Sequence, residues 1–195
     1  LNQDPANTSL TADELAGLKP ALATKGELDQ FEQKNILEAN RWAFSPRVLQ
    51  REDPFIESYL RELHWRMFNQ TWTWAGTYRR TNKNLGVPFH QILNSLAAVL
   101  GDIHYWIEHR TFEIDEIAIR FHHRVVSIHP FPNGNGRHAR LLADVVVAKD
   151  GREPFTWGSV RLVAAGPARL EYIRCLQAAD ANSDDIQGLL RFARS

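Results

Sequence analysis

Apolar positions along the chain recur mostly at helical spacing. From Gly26 to Phe44, Leu28, Phe31, Ile36, Leu37 and Trp42 mark an amphipathic helix that Ser45-Pro46 interrupts. Asp53-Pro54 reads as the cap and first position of a second helix, running to about Phe68 through Ile56, Leu60, Leu63 and Met67. From Gln70 to Phe89 the helical period disappears. Trp72, Trp74, Gly76, Tyr78, Thr81, Asn82, Gly86 and Pro88 favour extended and turn structure, so a short β-hairpin is predicted over Arg79 to Phe89. The helical period returns over Gln91 to His109 and again over Asp115 to Ser127. A Pro- and Gly-containing loop spans His129 to Gly136. The apolar run Leu141 to Ala148 then stops at Asp150-Gly151, and Pro167 to Ala179 and Asp184 to Arg194 read as closing helices. The predicted fold is mostly α, a helical bundle with one small β-hairpin flap.

Composition narrows the class. The chain has 195 residues, the size of one domain with a short appendage, and six Trp and ten Phe supply bulk for a sizeable core. No apolar run reaches the ~18 residues that span a bilayer, so no membrane association is expected. Leu1 to Leu10 is polar and does not read as a secretory signal. A single cysteine, Cys175, excludes an internal disulfide framework and a Cys-based zinc site, and makes the cytoplasm the expected compartment. Zero net charge argues against a general nucleic-acid binder. The charge is uneven, however. Residues 1–57 hold ten acids and six bases, whereas residues 117–178 hold nine bases and four acids, so an anion would settle in the second region.

Chemistry concentrates in His129-Pro-Phe-Pro-Asn-Gly-Asn-Gly-Arg-His-Ala-Arg140. The loop lies between two helical patterns, so the second helix starts inside its glycines. Gly134 and Gly136, flanking Asn135, let successive backbone N–H groups point at one spot beside the positive end of the helix dipole. Arg137 and Arg140 lie three apart and can reach the same side, and guanidinium forks suit phosphate oxygens. His129, ending the preceding helix, is the nearby group suited to act as a general base. A base, an anion cradle and two forks describe phosphoryl or nucleotidyl transfer to a hydroxyl. The bland alternative is a helix-loop-helix turn with surface arginines, which would suffice for Gly-Asn-Gly alone but not for the whole string. A P-loop is excluded, since no GxxxxGK[ST] string occurs.

The string resembles the Fic family signature HPFx(D/E)GNGRxxR, and Phe121 to Ile128 is similar to the helix that leads into it. Trp74-Ala75-Gly76-Thr77-Tyr78-Arg79 is similar to the WAGxYR segment ahead of the family's substrate-binding flap. Within the family, HPFPNGNGRHAR resembles the group called mobile mystery protein B, associated with mobile elements. The resemblance implies a Fic-like catalytic domain over residues 55–195, with residues 1–54 as an N-terminal helical extension of expected regulatory role. It implies a protein adenylyltransferase that takes ATP with Mg²⁺ and moves AMP to a Tyr, Thr or Ser hydroxyl of a protein substrate. His129 would take the hydroxyl proton. Gly134, Asn135 and Gly136 would hold the α- and β-phosphates, and Arg137 and Arg140 the outer ones. The flap residues Thr81, Asn82, Lys83, Asn84, Leu85 and Gly86 would clamp the target by adding a strand to it.

The sequence departs from the signature at Asn133, where the family places an acid as the Mg²⁺ ligand. A neutral carbonyl there implies weaker metal binding, altered nucleotide choice or reduced activity, and Asn133 could equally serve as a helix cap. A catalytically weakened nucleotide-binding regulatory module, or transfer of another phosphate-containing group, are therefore the alternative functions. No intact copy of the family's inhibitory motif (S/T)xxxE(G/N) occurs. Its nearest matches are Lys34 to Ala39, which nominates Glu38 as an inhibitory acid for Arg140, and Ser183 to Gly188. Without an internal inhibitor, an antitoxin or other regulatory partner is expected in trans. His122 is expected to pack behind the loop and His138 to be exposed, without a metal site. Trp72, Trp74 and Cys175 are expected in the core.

Overall fold

The computed structural model describes residues 9–22, 24–159, 166–182 and 185–195. Among them are nine α-helices: α1 (Ala12–Leu15), α2 (Lys25–Ala43), α3 (Pro46–Arg51), α4 (Glu57–Phe68), α5 (Ile92–Glu108), α6 (Ile114–Ile128), α7 (Asn135–Lys149), α8 (Pro167–Ala181) and α9 (Gln187–Arg194). Two 3₁₀ turns, Phe89–Gln91 and Trp157–Ser159, complete the set. The polar segment at residues 1–8 lies outside the described residues, as do Ser183 and Asp184 of the second inhibitory match.

Each helix starts and stops for a local reason. α2 opens on a reciprocal capping box, in which the Thr24 hydroxyl accepts from the Glu27 amide and the Glu27 carboxylate from the Thr24 amide. Pro46 ends that pattern but also starts α3, since proline suits a first helical turn. The helix expected to open at Asp53-Pro54 begins at Glu57 instead. The Asp53 carboxylate accepts the Phe55 amide proton at 2.9 Å, which makes a local turn and sends the Phe55 ring into the core.

Helices α6 and α7 form the central pair and share the most extensive packing, with α2 against α4, α5 against α6, and α8 against α9 around them. The second half of α7 is apolar on most sides, burying Leu141, Leu142, Ala143, Val145, Val146 and Val147 among the surrounding helices. From α4, Leu60, Leu63 and Met67 are fully enclosed, each stabilising the fold by about 1.5–3 kcal/mol. The loop joining α6 to α7, carrying the signature, is thus held by the best-packed part of the molecule.

The expected β-hairpin at Arg79 to Phe89 is absent. The described residues contain no sheet, only one isolated antiparallel bridge between Leu18 and Trp72. The reason lies in where the segment's amides go. Arg79 N–H donates to the Pro130 carbonyl (2.9 Å), Val87 N–H to the Ile128 carbonyl (3.3 Å), and Phe89 N–H to the Asn82 side chain (3.0 Å). Arg79 and Val87 thus donate to the signature loop and the end of α6 instead of forming a backbone ladder, and the Asn82 side chain takes the Phe89 amide. Among the described residues no helix is long and apolar enough to cross a membrane.

Candidate active site

His129 ends α6 in the left-handed region, with φ 55° and ψ 58°. A non-glycine residue held there costs on the order of 1–3 kcal/mol, so its surroundings must over-determine it. Arg79 does so. Its Nε donates to the His129 carbonyl at 2.7 Å, while its other nitrogens donate to the carbonyls of Thr81, Val87 and Ile128. One buried guanidinium thereby ties the flap to the base of the signature loop. Gly86, at φ +95°, closes the same contact: a Cβ there would lie 2.5 Å from the His129 Cβ. His129 is 7% exposed, and burial, reinforced by the charge of Arg79, lowers its pKa to about 4. At neutral pH the ring is uncharged, with one nitrogen unprotonated, the state a proton acceptor requires.

The loop after His129 closes on itself. Phe131 N–H donates to the Asn135 carboxamide oxygen and the Asn135 carboxamide nitrogen donates back to the Phe131 carbonyl, both at 2.9 Å. The Asn135 side chain is therefore occupied in shaping the loop, and what it offers outward is its backbone. α7 begins at this residue on Gly134, whose φ is +79°. A Cβ on Gly134 would meet the Phe68 ring at 2.5 Å, so conformation and space both require glycine. The N–H groups of Asn135, Gly136 and Arg137 belong to the first helical turn, where no intrahelical carbonyl is available to them. These are the donors on which the expected anion cradle rests.

A buried imidazole layer supports the cradle. His64 accepts the Gly76 amide proton at Nδ1 (3.0 Å) and so donates from Nε2 to the Asn133 carbonyl (3.1 Å), while its ring stacks on Phe131 at 3.7 Å. His138, expected to be exposed, is fully buried and donates from Nε2 to the Leu60 carbonyl at 2.9 Å. It sits on the face of α7 turned toward α4, about 100° round the helix from Arg137. Burial pushes the pKa of His138 down to about 4 and that of His64 well below the usual histidine value. His122 packs behind the loop against Tyr172 and Trp157, as expected, and Trp72 and Cys175 are buried. No group of three or more His, Cys, Asp or Glu among the described residues could hold a metal ion.

The two arginines diverge. Arg137 lies over the Phe68 ring (4.9 Å) and pairs with Glu32 of α2 at 2.6 Å, and Glu32 also accepts the Trp72 indole proton at 2.6 Å. Arg140 lies 5.3 Å from the centre of the Tyr172 ring, with its terminal nitrogen 3.6 Å from where a Gly136 Cβ would sit. Glu38, nominated as the inhibitory acid, accepts from the Gln70 side chain at 2.5 Å; the acid of α2 that reaches the signature is Glu32. The flap residue Lys83 is pinned by Glu14 and by the Ser9 carbonyl.

These groups suit a polyphosphate, since a Cβ at Gly136 would meet only the Arg140 side chain, the first-turn amides have no intrahelical carbonyl, and Arg137 and Arg140 lie on the same helix. They fit a protein-held Mg²⁺ poorly. Magnesium takes one or two carboxylates in addition to substrate phosphates, yet position 133 offers a neutral oxygen. That oxygen already accepts from the Gly134 amide (2.6 Å), with an Arg137 nitrogen 3.5 Å away. The acid closest in role, Glu32, is engaged by Arg137 and Trp72.

His64, Arg79 and Glu32 were not among the residues expected from sequence to serve the site. Arg79 had a signal, the end of the Trp-Ala-Gly segment. His64 and Glu32 sit within ordinary amphipathic helices, and only the packing of α4 and α2 brings them to the loop.

The Fic/DOC family profile matches residues 54–147. The chain is 28% identical over 178 residues to protein adenylyltransferase Fic of Nematostella vectensis, covering 89% of this chain and 39% of that one. It is 33% identical over 96 residues to protein adenylyltransferase fic-1 of Caenorhabditis elegans, covering 48% and 17% respectively. It thus spans less than two-fifths of the length of these relatives. Among solved structures, the N-terminal Fic domain of Bep8 from Bartonella sp. 1-1C aligns with a TM-score of 0.66 at 17% identity, over 92% of this chain and 90% of that one. The N-terminal Fic domain of a Bartonella quintana Bep effector protein with bound ADP aligns with a TM-score of 0.63 at 17% identity, over 91% and 87%. The fold is the same. With its signature loop between α6 and α7, this chain carries a domain of the Fic/DOC family.

Proposed function

We propose that this chain moves the AMP part of ATP onto a hydroxyl group of another protein. The observation that carries the reading is a neutral, buried His129 beside the open first turn of α7, with two guanidinium groups on that same helix. The α- and β-phosphates lie against the amides of Asn135 and Gly136, and against Gly134 once Asn133 turns aside. Arg137 and Arg140 neutralise the outer phosphates. The bare nitrogen of His129 takes the proton of a Tyr, Thr or Ser hydroxyl as its oxygen bonds to the α-phosphorus. The bond from that phosphorus to the bridging oxygen breaks, and pyrophosphate leaves. The relatives named as protein adenylyltransferases and the neighbour with bound ADP support the choice of donor. Cytoplasmic location and an antitoxin-like partner belong to the same reading.

Glu32 supports a restrained ground state. While it holds Arg137, the outer phosphates lack one cation, so displacement of α2 would raise activity. This observation, with the Asn133 side chain occupying the Gly134 amide, also favours the second reading, a nucleotide-binding regulatory module with weak catalysis. The test uses ATP labelled at the α-phosphate, a cell lysate as target, and a His129→Ala control. Label on protein that vanishes in the control supports transfer. Absence of label from wild type, Glu32→Gly and Asn133→Asp alike, with nucleotide still bound, favours the second reading or another transferred group.

A further inference from the structure

We infer that Tyr172, on α8 and beyond the matched domain, is a positioning residue that orients Arg140 toward the anion cradle. Its hydroxyl lies 2.9 Å from Nε2 of His122 in a buried contact, and the Arg140 guanidinium lies over its ring, 5.3 Å from the centre. A guanidinium only donates, so toward Arg140 the phenol oxygen can act only as acceptor, which leaves the phenol proton available to His122 Nε2. In that arrangement His122 is neutral with its proton on Nδ1. Burial and the adjacent Arg140 charge both hold His122 neutral. The contacts from His122 through Tyr172 to Arg140 hold the guanidinium over the phenol ring. From there one of its terminal nitrogens lies 3.6 Å from where a Gly136 Cβ would sit, at the first turn of α7.

The inference rests on the proposed function only in giving Arg140 a phosphate to hold. Tyr172→Phe keeps the ring and removes the hydroxyl. In the full chain, the ¹⁵Nε order parameter of the Arg140 side chain, assigned with Arg140→Lys, should fall in Tyr172→Phe while that of Arg137 is unchanged. His122→Leu, which cannot take the phenol proton, should loosen Arg140 in the same way, and His122→Gln, which can, should not. The Kd for ATP should rise about three- to tenfold in Tyr172→Phe, with no further rise when Tyr172→Phe is added to Arg140→Lys. An Arg140 order parameter unchanged in both Tyr172→Phe and His122→Leu overturns the inference. If wild type fails to bind ATP while Arg140 still loses order in these variants, the positioning role stands and the adenylyl-transfer reading falls.

Discussion

Lowering the pH from about 7.5 to 5 should destabilise this domain. Four histidines, His64, His122, His129 and His138, are buried and held below the ordinary value of 6.5, chiefly by desolvation. The unfolded chain binds protons there that the native state refuses, so stability is full above pH 6.5 and declines as pH falls toward the folded values. For His129 and His138, with folded values about 4, lowering the pH from about 7.5 to 5 removes about 2 kcal/mol each, and His64 and His122 act in the same direction. Asp144 opposes them. Burial raises its pKa to about 7 despite hydrogen bonds from Trp157 and Phe155, so the native state takes up a proton that the unfolded chain does not, which restores about 2.5 kcal/mol over the same interval. The histidines prevail. Urea unfolding monitored by tryptophan fluorescence at the two pH values should show a net loss of at least about 1.5 kcal/mol, against the 5–15 kcal/mol typical of a domain. In His138→Gln, whose amide can still donate to the Leu60 carbonyl, the loss should shrink by about 2 kcal/mol. An identical loss in wild type and variant would refute the assignment of His138 as a neutral buried group.

The acid limb of kcat/KM for transfer should fall near pH 4 rather than 6.5, since His129 sets it; a limb at 6.5 would mean that the ring is solvated in the free enzyme. Gly134→Ala should cost at least about 1–3 kcal/mol from backbone strain alone, lowering Tm by several degrees, and Phe68→Leu in the same chain should recover part of it by relieving the clash. Arg79→Lys replaces a four-carbonyl clamp by a point charge, so kcat should drop on the order of 100-fold with the KM for ATP little changed, as steady-state kinetics would show. Asn133→Asp should make nucleotide binding, followed by calorimetry, respond more strongly to added Mg²⁺ than in wild type, because it restores a hard anionic oxygen beside the cradle.

Local rules determined much of this protein. Helical periodicity located the long helices, and the glycines around Asn135 announced a loop that hands a chain to a helix N-terminus, because backbone sterics and amide direction are properties of a few adjacent residues. The signature's His129, Arg137 and Arg140 were legible for the same reason. Local rules failed where long-range partners outbid local ones. The turn-rich stretch at Arg79 to Phe89 has the composition of a hairpin, yet its amides bond to the α6–α7 loop, because the Arg79 guanidinium gathers four carbonyls from both segments. His138 looked exposed beside Arg137, but the helical turn points it at α4. Glu38 matched a motif by spacing, whereas Glu32, two turns earlier on α2, meets Arg137 across 105 residues of chain. Which acid faces the site, which imidazole stays neutral and which phenol steadies Arg140 depend on the docking of α2, α4 and α8 around the central pair. Burial and the pKa shifts that follow from it are properties of that packing, and no window of sequence contains them.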